Sequence, residues 1–333
     1  MTRTRSILAS LVLAALLPLA GLSAQSVTLK MAANVPANSP WDIGLKRLAS
    51  EFDRVSGGRV KLAFPQSAHV ATETDIIQKM RFGVDGALLT TFGIADLYPD
   101  SLALSMPGAM RDDAEFDAVL AATEPLIKAK LADRYTVLAI SKGGWIRYFS
   151  RSPINYPADL AKLRLSVESG NIKVMELMQS FGVRVVKGST SDFLLQINSG
   201  TVDACCVSPV YIAALWSQLR GKIGYMSSYK VAPFIGAVVF NKSSWEKVPA
   251  ELRPRLEEVV LDMAAKISLD SAKLEADAIA ALDGIASPPE PPDAQAKWDA
   301  ANAERRNTVI AGMFSADILQ VMDEAIAKAR KSK

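Results

Sequence analysis

Apolar residues at Trp41, Leu45, Leu48, Phe52 and Val55 recur every three or four positions, the spacing that lays one stripe along a helix. Ser39 stands where such a helix is capped, Pro40 fits its first turn, and Gly57-Gly58 halts it. The period then changes. Over residues 59–64, Val60, Leu62 and Phe64 alternate with polar neighbours and predict a strand. The same reading gives an opening strand at 27–32, a helix at 72–82 ended by Gly83, and a strand at 86–91 with Phe92-Gly93 at its exit. A helix follows at 112–133, interrupted near Pro125, and then a strand at 135–140. Between Tyr156 and Tyr211, β-prone runs at 163–167, 183–186 and 202–207 alternate with helical runs at 171–181 and 189–198. Residues 207–219 read as helix and 236–241 as a strand.

Strands alternating with helices of about ten residues imply βαβ units and a parallel sheet, hence an α/β fold. Ligands of such sheets gather outside the carboxyl ends of the strands, which here fall near 166–168 and 206–208. After Pro249 a helical stripe runs from Ala250 to Leu282 through Leu252, Leu256, Val259, Val260, Met263, Ile267, Leu274 and Ala278. At 1.5 Å per residue it reaches roughly 50 Å, more than one domain of this size is wide. It is either two helices with an unmarked break or one helix serving two domains. Ser287 to Pro292 reads as an extended linker. Helices at 294–310 and 316–329 are expected to pack on the second domain.

Composition adds an address. Arg3 and Arg5 precede an apolar run from Ile7 to Leu22 and the small-residue exit Ser23-Ala24, the pattern of a secretory signal peptide over residues 1–24. No cysteine stands at the exit, so no lipid anchor is expected. The formal net charge of +3 falls by two when that segment is removed. Near-neutrality without a basic cluster argues against nucleic acid as a partner. The two cysteines, Cys205 and Cys206, are neighbours. Adjacent Cα atoms about 3.8 Å apart are too close for an ordinary disulfide, so they read as small buried side chains in a strand. The single histidine, His69, has no Cys or acidic partner at ligand spacing. No nucleophile elbow, phosphate loop or zinc spacing occurs. The chain is therefore expected not to be an enzyme and to need no cofactor or metal.

Several motifs in order resemble the extracytoplasmic solute receptors of tripartite ATP-independent periplasmic (TRAP) transporters. They are Asn34-x-Pro36-x-x-Ser39-Pro40-Trp41, Pro157-x-Asp159-Leu160, Leu195-x-x-x-x-Gly200-x-Val202-Asp203-Ala204 and Phe240-Asn241-Lys242-x-x-Trp245-x-x-Val248-Pro249. The resemblance implies a two-domain α/β periplasmic-binding-protein fold with crossovers between domains and a long helix shared by both lobes. Residues 27–144 plus 233–274 would form domain I, and 145–232 plus 275–333 domain II. It also implies a periplasmic capture protein that closes on a small-molecule ligand and delivers it to TRAP membrane permease subunits.

Where this chain departs from the family is informative. The resemblance places a carboxylate-clamping arginine at the position of Ser166, and a lysine at the position of Arg164. A second arginine of the family lies near Arg147. A buried arginine–carboxylate pair is worth about 3–5 kcal/mol when broken, and a serine hydroxyl returns about 1 kcal/mol. Small acids would then be held poorly unless Arg164 or Arg147 substitutes. The expected ligand-binding residues are Trp41, Glu73, Thr91, Phe92, Trp145, Arg147, Arg164, Ser166, Cys206, Val207, Ser208, Tyr211 and Phe234. Glu73 reads equally as a first-turn acid of its helix. The apolar members favour an apolar or amphipathic ligand, as in the TRAP subgroup that works with a tetratricopeptide-repeat periplasmic protein. A receptor for a small organic acid with a relocated arginine is the alternative. A structural or sensory protein that kept the fold and lost transport is a third.

Overall fold

The computed structural model describes residues 26–35, 40–65, 72–168, 172–188 and 190–332. The expected leader at 1–24, the Ser39 cap, part of the motif around Pro36, and His69 lie outside the described residues. The chain opens with β1 (Val27–Ala33), α1 (Pro40–Ser56), β2 (Val60–Ala63), α2 (Glu73–Met80), β3 (Gly86–Thr90) and α3 (Thr91–Leu97). A 3₁₀ segment (Pro99–Ser105) leads to α4 (Asp113–Leu131) and β4 (Tyr135–Ser150). Then come α5 (Pro157–Leu160), β5 (Arg164–Glu168), α6 (Ile172–Ser180), β6 (Arg184–Gly188), α7 (Thr190–Ser199), β7 (Ala204–Val207), α8 (Pro209–Leu219) and β8 (Tyr225–Met226). The remainder is β9 (Ala232–Asn241), α9 (Lys242–Trp245), α10 (Arg253–Ala280), α11 (Ala294–Arg305), a π turn (Arg306–Ile310), α12 (Ala311–Met313) and α13 (Ala316–Lys331).

The strands lie in the order β2-β1-β3-β9-β4-β7-β5-β6, with β8 beside β4. Two parallel groups, β2-β1-β3 and β7-β5-β6, flank an antiparallel pair, β9 and β4. These two strands are much longer than the alternation predicts: β4 continues beyond Ile140 to Ser150, and β9 begins at Ala232 rather than Gly236. The reason is a change of neighbours along β4. From Tyr135 to Ile146 it pairs with β9, and from Arg147 to Ser150 with β7. Both of its faces are covered in turn, so no single period marks it. A register shift between Lys142 and Trp145 contains Gly143 and Gly144. Gly144 has a φ of +96°, which an L side chain rarely adopts.

Two helix expectations change. Residues 91–97 form α3, where the sequence suggested only a strand exit, because Thr90 caps it by accepting from the Phe92 N–H at 3.3 Å. Helix α4 passes through Pro125 without interruption. Pro125 and Ala121 are both exposed, so the carbonyl that loses its partner to the proline can be solvated.

Residues 253–280 are one helix, roughly 42 Å long, which packs on α1 and α8 and along β4. It is the shared helix of the two readings above. Helix α13 corrects another expectation: it lies against α4, not against the second parallel group. Arg330 reaches back to the buried Glu115 at 2.9 and 3.1 Å, and Lys130 pairs with Asp317 at 2.8 Å. Helix α11 is held instead by Trp298, which is fully buried, stacks on Tyr229 with centroids 4.3 Å apart, and donates to the Asn155 carbonyl at 3.0 Å.

Candidate ligand-binding site

A cavity of about 220 Å³ opens between the two parallel groups of the sheet. The topology places it there. In each group the strands run the same way, so their carboxyl ends share an edge, and the helices that follow begin at that edge. One wall comes from Asn34 and Val35 after β1, Trp41, Gly44 and Leu45 on α1, Leu88 to Thr90 on β3, Phe92, and Glu73. The other comes from Leu165, Ser166 and Val167 on β5, Val174 and Met178 on α6, Phe193 on α7, and Cys205, Cys206 and Val207 on β7. Ser208 and Tyr211 follow at the start of α8. Ser141, Lys142, Gly143 and Ile146 on β4, Phe234 and Gly236 on β9, and Met263 and Ile267 on α10 close it. Most of this surface is aliphatic or aromatic. At Gly143 a Cβ would come within 2.4 Å of the Phe234 ring, so the glycine allows that ring to lie over the strand. The Phe234 ring meets Trp41 edge-on at 6.2 Å between centroids.

Of the residues expected at the site, Trp41, Glu73, Phe92, Ser166, Cys206, Val207, Ser208, Tyr211 and Phe234 line this cavity. Thr91, Trp145, Arg147 and Arg164 do not, and each has a physical reason. Thr91 is fully buried, and its hydroxyl accepts the Ile235 N–H at 3.2 Å. Trp145 is core: its ring meets Phe116 at 5.7 Å, and its indole N–H donates to Asp113 at 3.2 Å. Arg164 sits at the start of β5, two residues or about 6.6 Å back from Ser166 along the strand. There it grips Asp203 through two bonds of 2.8 Å, one to each carboxylate oxygen. These bonds hold the Asp203 carboxyl below the usual carboxylate range. Arg147 donates to Glu275 on α10 at 3.1 and 3.0 Å and to the Ser228 carbonyl at 2.6 Å. Only about a tenth of either side chain is exposed (12% and 10%). The two guanidiniums proposed as substitutes for the clamp are therefore already committed to carboxylates.

Glu73, Lys142 and Ser166 in the lining are engaged as well. Glu73, in the first turn of α2, turns its carboxylate onto the start of α3. It accepts from the Thr90 N–H at 2.7 Å, the Thr90 hydroxyl at 2.7 Å and the Gly93 N–H at 2.8 Å. Lys142 places its ammonium 2.5 Å from Asp117 and 5.5 Å from the Phe116 ring centre. The Ser166 hydroxyl bonds Gln196 at 2.9 Å. Cys205 and Cys206 are both free, the first buried and the second half-buried, and burial pushes both thiols up. Among the described residues no cluster of His, Cys, Asp and Glu could hold a metal ion.

Sequence reasoning missed Leu88, Ile146, Val174, Met178, Phe193, Met263 and Ile267. Val174 and Met178, like Met263 and Ile267, are four apart on one helix, so the stripe was visible. A stripe does not say whether it faces a core or a cavity. Trp216, whose indole donates to the Asp283 carbonyl at 3.2 Å, is core.

The model of the family described as bacterial extracellular solute-binding protein, family 7, matches residues 31–308. A solute-binding protein of Verminephrobacter eiseniae is 23% identical over 235 residues, 68% of each chain. The C4-dicarboxylate-binding periplasmic protein of Rhodobacter capsulatus is 23% identical over 272 residues, 78% of this chain and 79% of its own. Among solved structures, a TRAP periplasmic solute binding protein from Ralstonia eutropha with bound (S)-2-acetolactate has a TM-score of 0.81 at 20% identity. The match covers 90% of this chain and 99% of that one. A TRAP periplasmic solute binding protein from Sulfurospirillum deleyianum with bound succinate has a TM-score of 0.78 at 16% identity, covering 93% and 100%.

Proposed function

The chain belongs to family 7 of the bacterial extracellular solute-binding proteins, binding receptors rather than enzymes, and from that premise we propose that its solute is apolar or amphipathic. The observation that carries this reading is the state of the arginines: Arg164 is held by Asp203, Arg147 by Glu275, and position 166 offers a hydroxyl in an otherwise largely apolar wall. Specific ligand pockets bind by apolar burial plus a few placed polar groups, and this one has the apolar part in excess. Capture proceeds by closure of two lobes about β4 and β9, near Gly144 and Ala232, stabilised only when both walls touch solute. The mature protein, freed of residues 1–24, works in the periplasm and hands its solute to a TRAP membrane permease. A tetratricopeptide-repeat partner would suit such cargo.

A second reading, a small organic acid, is favoured by the succinate and (S)-2-acetolactate bound to the similar structures and by Lys142 in the wall. Native mass spectrometry of the purified protein, followed by calorimetry with succinate and with phenylpropyl compounds, separates the two. Co-purification of an apolar molecule and no succinate binding are expected. Micromolar succinate binding that is lost in Lys142→Ala would establish the second reading.

A further inference from the structure

The hydrogen-bonding polarity of the cavity is set by a residue behind its wall. Gln196 on α7 lies outside the lining, and its amide nitrogen donates to the Lys187 carbonyl oxygen at 2.9 Å. A carbonyl only accepts, so the nitrogen must face it, and the amide oxygen is thereby turned to Ser166 Oγ at 2.9 Å. That oxygen also only accepts, so Ser166 commits its one proton to Gln196 and keeps lone pairs for the cavity. Gly188 makes room for the arrangement, since a Cβ there would stand 2.4 Å from the amide nitrogen. Other lining hydroxyls are turned the same way. Thr90 donates to Glu73 at 2.7 Å while accepting from Phe92, and Ser141 donates to the Gly236 carbonyl at 3.4 Å. Glu73 is a carboxylate and accepts only. Ser208 is turned the other way: it accepts the Tyr211 N–H at 3.3 Å and keeps its proton.

We propose that the solute carries a hydrogen-bond-donating head group, a hydroxyl or an amine, and that Gln196 is the positioning residue that selects it. The inference rests on the apolar-solute reading and adds the polarity of the head. A carboxylate head would face oxygen lone pairs at Ser166, Thr90 and Ser141 and the negative charge of Glu73, and the Lys142 ammonium in the wall is already paired with Asp117 at 2.5 Å, an arrangement that leaves a buried anion short of donors. An alcohol gives its proton to one of these acceptors and can accept from Ser208.

Calorimetry with phenylpropanol, phenylpropylamine and phenylpropanoate tests this on probes that share one apolar body. The wild type should bind the alcohol or the amine at least about tenfold more tightly than the carboxylate, the worth of one hydrogen bond made or refused. Gln196→Leu releases the Ser166 proton and should narrow that ratio severalfold by strengthening the carboxylate. Ser166→Ala, which removes only a hydroxyl and so tests the idea even if leucine cannot be seated, should weaken the alcohol without weakening the carboxylate. A general loss of structure would move all three probes together, whereas the proposal concerns their ratio. Wild-type binding of phenylpropanoate as tight as that of the alcohol, or a ratio unmoved in both variants, overturns the inference and spares the apolar reading. Succinate binding with no affinity for any phenylpropyl probe overturns both.

Discussion

Position 166 holds a serine already bonded to Gln196, and a guanidinium there would change what the cavity accepts. Ser166→Arg is expected to raise succinate affinity by roughly 10- to 150-fold, the equivalent of about 1.5–3 kcal/mol for a charge-assisted bond. Calorimetry measures it, and an affinity that does not move would mean that residue 166 does not reach the solute. Cys206 offers a second readout at this scale. It lines the cavity, and burial raises its thiol well above the ordinary value. The protonated form then persists through the usual thiol range, so maleimide labelling should be slow at neutral pH and quicken as pH rises. Bound solute should slow it further. Labelling as fast as that of a free thiol, or indifferent to a bound phenylpropyl probe, would remove Cys206 from the wall.

At the scale of elements, the join between α10 and β4 concentrates the polar chemistry of the fold. Glu275 accepts from Arg147 and, at 3.0 Å, from the Trp145 N–H, and its carboxylate fills the space that a Cβ on Gly144 would need. Removing one partner of a buried ion pair leaves the other charge uncompensated. Glu275→Ala is therefore expected to cost about 3–5 kcal/mol in urea unfolding, and Glu275→Gln less, since the amide oxygen still accepts from Trp145. Equal stability of the alanine variant would show that water can reach Arg147. The alternation of periods revealed most elements here, and it left open whether the long stripe after Pro249 was one helix or two, which the fold resolves as one. It failed at β4, which exchanges β9 for β7 midway, at β9, which has β3 on its other side only from Gly236 to Phe240, and at α13. That helix presents an amphipathic stripe that any apolar face could cover; it meets α4 by burying Ile318 and Met322 and through Arg330 with Glu115, long-range contacts that no local period specifies.

For the whole molecule, β4 and β9 link the two walls while α10 spans them, so relative motion must bend those three segments. Small-angle scattering should show the radius of gyration fall when a bound solute closes the cleft. The same solute at a hundred times its Kd should stabilise the protein by about 2.7 kcal/mol. A thermal shift without contraction would point to a cavity that is already shut when empty. Gly144→Ala, strained at a φ of +96° and crowded by Glu275 at 3.0 Å, is expected to alter that contraction more than it alters the cavity wall.

The sequence by itself determined the α/β class, the order of most strands and helices, and the edge at which the cavity opens. Those follow from periodicity and chain direction, which are local properties that survive without a structure. Tertiary structure alone decided which cations remain available to a solute. Arg164 meets Asp203 across 39 residues and Arg147 meets Glu275 across 128. The charge of an arginine is legible from its letter, but its partner is a matter of distance in the folded chain.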